Sequence, residues 1–410
     1  MGQPVNSAAR LSAVIVGGSI GGLTTAVILR DAGFEVTVLE RSTTALEGRG
    51  AGIVLHEMSA RYLVECAGMS LGAISEGARW LRFIDRAGEV THQEPSRYRF
   101  TAWNTLYTNL LRHLPRDRYR LGNEVAGLEQ TGERVRVMIS DGSSLAADLV
   151  VCADGITSPS RRHMLPAIES RYAGYLGWRG VVLESELDPD VFDRLYEAIT
   201  YSVPPLSHIL AYPIPSQGGR GPERVLNYVW YRNREVGPDL DDALTDTAGV
   251  RRTMSVAPGH VQSHHISALK NEAKAVLPDD LARMVLATKE PFIQTVVDVE
   301  VPQMAFGRVC LIGDAAFAAR PHAAAGTAKA AADAWSLAAS LQDSRDVVAA
   351  LLAWEPVALE RGRRLTERAR RLGTMAQVEG SFTGGDPFIM FGLDQPGDSC
   401  YPIRQVDERN

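Results

Sequence analysis

The sequence predicts an α/β fold, with a β-α-β unit opening a parallel sheet, then a β-meander, a separate antiparallel sheet and a C-terminal helix. Three observations predict it. A short apolar run near the N-terminus enters a glycine-rich turn, two later apolar runs end in Asp-Gly and Gly-Asp, and the stretch from Tyr172 to Arg234 turns to aromatic-rich alternation.

The opening unit is the most informative. Ala13 to Val16 reads as a strand, Gly17-Gly18-Ser19-Ile20-Gly21-Gly22 as a turn, Leu23 to Asp31 as a helix and Glu35 to Glu40 as an alternating strand. Gly17, Gly21 and Gly22 permit a tight turn and close helix-on-strand packing. The helix N-terminus offers free N–H groups to a diphosphate, and Glu40 stands where an acid accepts ribose hydroxyls. Ser19 occupies the place of the middle glycine, where its hydroxyl can donate to phosphate. The alternative is a merely tight turn, but strand, helix, strand and acid agree on a dinucleotide-binding unit. Glu40 argues for an unphosphorylated ribose and leaves FAD and NAD undistinguished.

With 410 residues, 45% of them hydrophobic, the chain is long enough for two or three structural units. Its formal net charge is -6, only four of its 43 basic residues are Lys, and no dense basic run is interleaved with aromatics, so nucleic acid is not an expected partner. Cys66, Cys152, Cys310 and Cys400 are far apart and lack metal-ligand spacing, so no metal site is expected and they read as reduced core residues. Leu11 to Leu29 carries no charge, but its four glycines and β-α-β pattern oppose a membrane span. A soluble cytoplasmic protein is the expectation.

Beyond Glu40, a loop through Gly48, Gly50 and Gly52 leads to Ile53-Val54-Leu55. It reads either as a ligand-contacting backbone or as a simple crossover. A hairpin turning at Ala87-Gly88 is expected over Leu81 to Thr91, a helix over Thr105 to Leu114 and the meander over Val125 to Val151. Leu149 to Cys152 then runs into Asp154-Gly155, with Ser158-Pro159 as cap and first-turn proline of a helix. Arg308 to Ile312 runs into Gly313-Asp314, followed by a loop from Pro321 to Gly326 and an Ala-rich helix over Thr327 to Leu341. The closing helix, about Val347 to Met375, has Pro356 as an expected kink, with Leu365, Ala369 and Leu372 on one side. Its six arginines between Arg361 and Arg371 read as a solvated face, with an anion or partner surface as the alternative. The expected organisation is a nucleotide unit in two parts, 1–170 and 291–342, a substrate unit over 171–290, and a helical segment and tail over 343–410.

The three junctions together carry a resemblance. Gly17 to Gly22 with Glu40-Arg41, Asp154-Gly155 with Ser158 and Arg161, and Gly313-Asp314 with Pro321 and Gly326 resemble, in order and spacing, the single-component FAD-dependent aromatic hydroxylases. Gly174-Tyr175, Trp178-Arg179-Gly180, His208 with Ala211 to Pro215, and Arg320 to Gly326 are similar to the branch of that family acting on 2,6-dihydroxypyridine. The resemblance implies FAD as cofactor and NADH as a transient co-substrate. It assigns Glu40 and Arg41 to the adenosine end, the Val125 backbone to the adenine, Asp314 to the ribityl or nearby hydroxyls, Ala324 to Gly326 to the N1 and O2 edge of the flavin, and Arg49, Asp154 and Pro321 to cofactor binding. The chain departs from common family patterns at Phe317, at Ala324-Ala325-Gly326 and at Tyr107.

The implied reaction is reduction of FAD by NADH, addition of O2 to give a flavin C4a-hydroperoxide, and oxygen transfer to an electron-rich ring. His208 and Tyr212 are four apart on one strand and so share a face. The resemblance implies that both line the substrate pocket, His208 taking the ring hydroxyl's proton and Tyr212 positioning the ring; His322 is a second candidate base. Without the resemblance they read as a core histidine and ordinary sheet packing. Trp178 and Arg179 alternate, so at most one faces the pocket, and Arg179 reads as an anion holder or as half of a structural ion pair. Rival readings are a hydroxylase of hydroxynicotinate, salicylate or a natural-product phenol, a flavin reductase or halogenase, and a non-catalytic flavin-binding regulator. The expected partners are a small aromatic substrate and O2, and a homodimer is left open.

Overall fold

The computed structural model describes residues 10–48, 51–216, 223–344 and 346–401. The strand Ser12–Val16 lies between Glu35–Glu40 and Leu149–Cys152, parallel to both. Tyr119–Leu121 and Val309–Leu311 extend the sheet in parallel at either side, and Ala305–Phe306 closes one edge antiparallel. Leu149–Cys152 is buried throughout, which explains why it reads as a continuous apolar run: a strand covered on both faces has no polar side to show. Leu23 and Val27 of the helix Ile20–Asp31, Leu337 of the helix Gly326–Asp343, and Val135 and Val137 of the meander all join this core. The meander itself is Val125–Thr131, Arg134–Ile139 and Ser144–Ala147, antiparallel as expected.

A second sheet has nine strands among the described residues. Its order runs Ser255–Val256, Phe292–Glu300, Arg171–Leu183, Val225–Asn233, His208–Ile214, Ala198–Ser202, Trp80–Ile84 and Val90–Pro95, with Phe317–Ala318 paired to Phe292–Glu300. Two segments correct the expected organisation. The hairpin within 80–95, expected in the nucleotide unit, pairs in parallel with Ala198–Ser202, and Phe292–Glu300 pairs with Arg171–Leu183. Local alternation identifies a strand but not its neighbour, because partner choice depends on distant residues.

Alternation sorts the two faces of this sheet. Trp178, Ile209, Ala211, Tyr228 and Trp230 pack with Phe192, Leu269 and Leu281 of three covering helices. Their neighbours Leu210, Tyr212, Val229 and Tyr231 face the opposite way, into a core shared with Leu365, Ala369 and Leu372 of the long helix Val347–Thr374. That helix runs through Pro356.

The arginines of the long helix correct the solvated-face expectation in part, for Arg363, Arg364 and Arg371 are exposed while Arg361, Arg368 and Arg370 are partly buried. Arg368 donates to the Gly392 carbonyl at 2.9 Å and to the Met390 carbonyl, while Arg361 and Arg364 approach Asp394. Arg370 pairs with Glu300 at 3.0 Å and Arg371 with Glu379 at 2.6 Å. Arg361, Arg364 and Arg368 therefore pin the C-terminal segment against the helix, while Arg370 ties the helix to the sheet. Among the described residues no helix is long and apolar enough to cross a membrane.

Candidate active site

The carboxyl ends of three parallel strands lie side by side, with Val16 in register with Cys152 and Cys152 with Leu311. All three sequence junctions therefore meet at one edge, where open α/β sheets hold their ligands. Glycine is required at two positions of the first turn. Gly17 has φ +101° and a Cβ there would sit 2.5 Å from the Ala153 carbonyl oxygen; one at Gly22 would sit 1.9 Å from the Gly17 oxygen. Ala330 of the Ala-rich helix joins the first and third junctions, since a Cβ at Gly21 or at Gly313 would each lie 3.2 Å from its methyl. Buried Arg161 joins the second and third, donating to the carbonyls of Ile156 at 2.6 Å and Ala315 at 2.9 Å.

Two chambers open at this edge and share Ser19, Ala153 and Gly155 in their walls. One, of about 450 Å³, is lined by Gly17, Ser19, Glu40, Arg41, Val125 and Asp154. The other, of about 390 Å³, is lined by Ser19, Gly21, Asp314, Pro321, Ala324 and Gly326, and also by His208, Tyr212 and His322. Gly22 lines neither and acts through packing, while Arg49 lies outside the described residues. Glu40 accepts from the amides of Gly18 at 2.9 Å and Ser42 at 2.8 Å, and Asp154 from the Ser158 hydroxyl at 2.6 Å and the Ser160 amide at 3.0 Å. Both carboxylates are thus aimed by the turns they belong to. Beneath the third junction, buried Lys329 bonds the Gly313 carbonyl at 3.0 Å and pairs with Asp333 at 2.8 Å. Burial raises the Asp314 carboxyl above its usual range, and Lys329 opposes that shift.

These walls fit FAD. The helix Ile20–Asp31 has Ser19 as N-cap and the helix Gly326–Asp343 has Ala325, and neither cap residue bonds its helix through a side chain. Two sets of first-turn N–H groups therefore face the chambers without side-chain partners, which suits a diphosphate at one and the electron-rich edge of a flavin ring at the other. Ala324, with φ +54°, holds a left-handed conformation that costs a non-glycine residue about 1–2 kcal/mol, a strain located on the ring-chamber wall. Tyr107, buried, bonds the Leu46 amide at 3.2 Å and the Tyr119 hydroxyl at 3.2 Å, and Phe317 is buried against Gly362, so neither of these departures opens a gap.

The far end of the ring chamber is aromatic and imidazole-rich. His208 lies 4.7 Å from Tyr231, 5.1 Å from Phe382 and 5.1 Å from His322, ring centre to ring centre. Its Nδ1 meets the side-chain amide of Gln377 at 3.1 Å, and burial pushes its pKa down to about 3. His322 Nε2 meets the Tyr175 hydroxyl at 2.7 Å, its Nδ1 is buried without a partner, and burial, with help from His208 and Arg320, drives its pKa well below the usual value. Tyr212 stacks on Phe100 at 4.6 Å, and burial raises its hydroxyl to about 12.

A fold match supports the same assignment of shape. Residues 172–298 match an FAD binding domain-like family and residues 15–86 an NAD(P)-binding Rossmann-like domain. The chain is 38% identical over 386 residues to 2,6-dihydroxypyridine 3-monooxygenase of Paenarthrobacter nicotinovorans, covering 93% of this chain and 96% of that one. It belongs to the FAD-dependent aromatic hydroxylases. The hydroxylase is also similar to the solved 2,6-dihydroxypyridine-3-hydroxylase of Arthrobacter nicotinovorans, at 37% identity and a TM-score of 0.90 over 95% of this chain and 98% of that one. It is 27% identical to an FAD-dependent urate hydroxylase of Klebsiella pneumoniae over 88% of this chain and 89% of the relative.

Sequence reasoning missed Gln377, Tyr231 and Phe382 as parts of this hydroxylase's site. Gln377 sits in a wide helical turn, Met375–Glu379, that rotates it off the 3.6-residue register of the preceding helix, so periodicity could not aim it. Tyr231 was recoverable, because it shares the inward face of its strand with Val229. Outside both chambers, Asp242, His264 and His265 bring potential ligand atoms within 4.8 Å of one another, a grouping not expected from sequence, in which both imidazoles contact one carboxylate oxygen.

Proposed function

We propose that this hydroxylase adds one oxygen atom of O2 to a hydroxylated N-heteroaromatic ring of the 2,6-dihydroxypyridine type, with NADH as reductant. The observation that carries the reading is a pair of buried, neutral imidazoles, 5.1 Å apart, on the wall of the ring chamber. FAD, when bound, supplies the redox chemistry, taking a hydride from NADH and activating O2. We assign Gly17, Ser19, Glu40, Arg41, Val125 and Asp154 to its adenosine and diphosphate end, and Gly21, Asp314, Pro321, Ala324 and Gly326 to its ring end. The chain's own residues bind and orient the substrate, exclude water and control one proton.

Hydrogen-bond logic supports different roles for the two histidines. The Tyr175 hydroxyl lies 2.7 Å from His322 Nε2, and with the Arg320 guanidinium beside the Tyr175 ring we assign that hydroxyl as the donor to Nε2. Neutral His322 then carries its proton on Nδ1, the atom left without a protein partner, and serves as a donor. For His208 the reverse holds. Its Nδ1 is 3.1 Å from the side-chain amide of Gln377, and we assign the amide oxygen to that contact, where it accepts from Nδ1–H. Nε2 of His208 is then an acceptor for a ring hydroxyl. With its pKa near 3, His208 polarises the O–H bond and is a poor resting place for the proton itself. Tyr212 positions the ring, and Phe382 and Phe391 help keep water out. A cytoplasmic setting fits the four free cysteines.

The test is substrate-dependent NADH and O2 consumption by the flavin-loaded protein with 2,6-dihydroxypyridine, 6-hydroxynicotinate and salicylate. We expect strongest stimulation and a hydroxylated product with the dihydroxypyridine, and a loss of about a hundredfold in kcat for His208→Asn with FAD retained. A yellow protein indifferent to every hydroxypyridine would refute the substrate reading.

A further inference from the structure

Arg179 is the residue of the ring chamber that the reading above leaves unused. It lies on the strand Arg171–Leu183 between Trp178 and Gly180, and while Trp178 packs into the outer core, Arg179 lines the chamber. Across the sheet it is in register with Val229 on one side and Phe292 on the other. Its positive charge is close enough to act on the hydroxyls of both Tyr212 and Tyr231. Its Nε is buried and has no hydrogen-bond partner, and no carboxylate pairs with it among the described residues.

The other charged groups in the wall are already compensated. Arg320 is paired with Asp298 at 2.9 Å. Asp314 faces the charges of Lys329 and Arg161. His208 and His322 are held neutral by burial. The chamber therefore carries one uncompensated guanidinium at its aromatic end. A half-buried guanidinium without a counter-charge, at the wall of an apolar chamber, is set to form charge-assisted hydrogen bonds with an anion brought to it. Deprotonating a ring hydroxyl in this apolar space would be penalised by the same burial unless a cation stood close by.

We propose that Arg179 is the substrate-recognition residue of this hydroxylase, binding a negatively charged oxygen on the aromatic ligand. The inference rests on the substrate-chamber reading above and narrows the substrate class to oxyanion-bearing planar rings. The oxyanion is either an ionised ring hydroxyl or a ring carboxylate. The planar two-pronged donor suits both, and a lysine would offer only a point charge.

The experiment titrates ligands into the FAD-loaded protein without NADH and reads binding from the change in flavin absorbance. The probes are 2,6-dihydroxypyridine, 6-hydroxynicotinate and non-ionising 2,6-dimethoxypyridine. Arg179→Met should weaken binding of at least one of the two anions tenfold or more, while the Kd values of the neutral ether and of FAD change less than twofold. Arg179→Lys should recover part of the loss. Loss confined to 6-hydroxynicotinate assigns the carboxylate as the oxyanion, and loss for the dihydroxypyridine assigns the ring oxygen. Equal weakening of anions and ether, weakened FAD with unchanged ligand binding, or no change at all would overturn the proposal. If neither pyridine binds the wild type, the substrate reading fails separately, and benzoate against benzamide still decides whether Arg179 selects an anion.

Discussion

At the scale of single residues, the two buried histidines of the ring chamber tie stability to pH. His208 has a pKa of about 3 in the folded protein against about 6.5 in an unfolded chain, and His322 is shifted in the same direction. Below pH 6.5 the unfolded chain takes up protons that the folded chain refuses, so acid withdraws stability. Each fully shifted imidazole then contributes a loss of about 2 kcal/mol between pH 7.5 and pH 5. We expect the urea midpoint of the apoprotein to fall over that range, and to fall less in a His208→Gln, His322→Gln double variant. Identical pH profiles for the two proteins would show that the imidazoles are not buried as described. Tyr175 and Gln377 carry no redox chemistry, but each occupies one nitrogen of a buried imidazole.

Among elements, the helix Gly326–Asp343 decides whether the cofactor chambers exist. Its alanines let it approach both glycine turns, and Ala330 touches the positions of Gly21 and Gly313 with no room to spare. Overpacking of this kind costs about 1–3 kcal/mol and moves backbone. For Ala330→Leu we expect far-ultraviolet circular dichroism close to wild type with FAD affinity lowered about a hundredfold, measured by flavin fluorescence on release. Unchanged FAD affinity would mean that the two turns need not be held together. The long helix Val347–Thr374 has a different task. Its inner side fills the core beneath the aromatic sheet, while its arginines clamp the segment that carries Phe382 and Phe391 to the chamber wall.

For the whole molecule, oxygen transfer depends on two sheets and a C-terminal segment closing around one space. The segment is held at several points. Arg368 bonds two of its carbonyls, Asp398 accepts from the amides of Leu393, Asp394 and Gln395 and meets His56 at 3.3 Å, and the Phe391 amide donates to the Tyr98 hydroxyl. Releasing it admits water to the chamber. We therefore expect Arg368→Ala to retain NADH oxidation but to release more hydrogen peroxide and less hydroxylated product per NADH, a ratio read from oxygen uptake with and without catalase. Undiminished coupling would show that the segment does not seal the site. The opening β-α-β unit, the meander, the three junctions and the shared face of His208 and Tyr212 were all legible in the sequence by itself, because each rests on periodicity or turn chemistry within a few residues. The Ala-rich helix was legible too, though not which glycines it would touch. Only the tertiary structure decided that Trp80–Pro95 joins the aromatic sheet, that Gln377 reaches His208, that Arg179 lines the chamber without a carboxylate partner, and that Arg361, Arg364 and Arg368 hold a tail. These are contacts between groups 100 or more residues apart or across irregular turns, and local pattern carries no information about where a distant partner will stand.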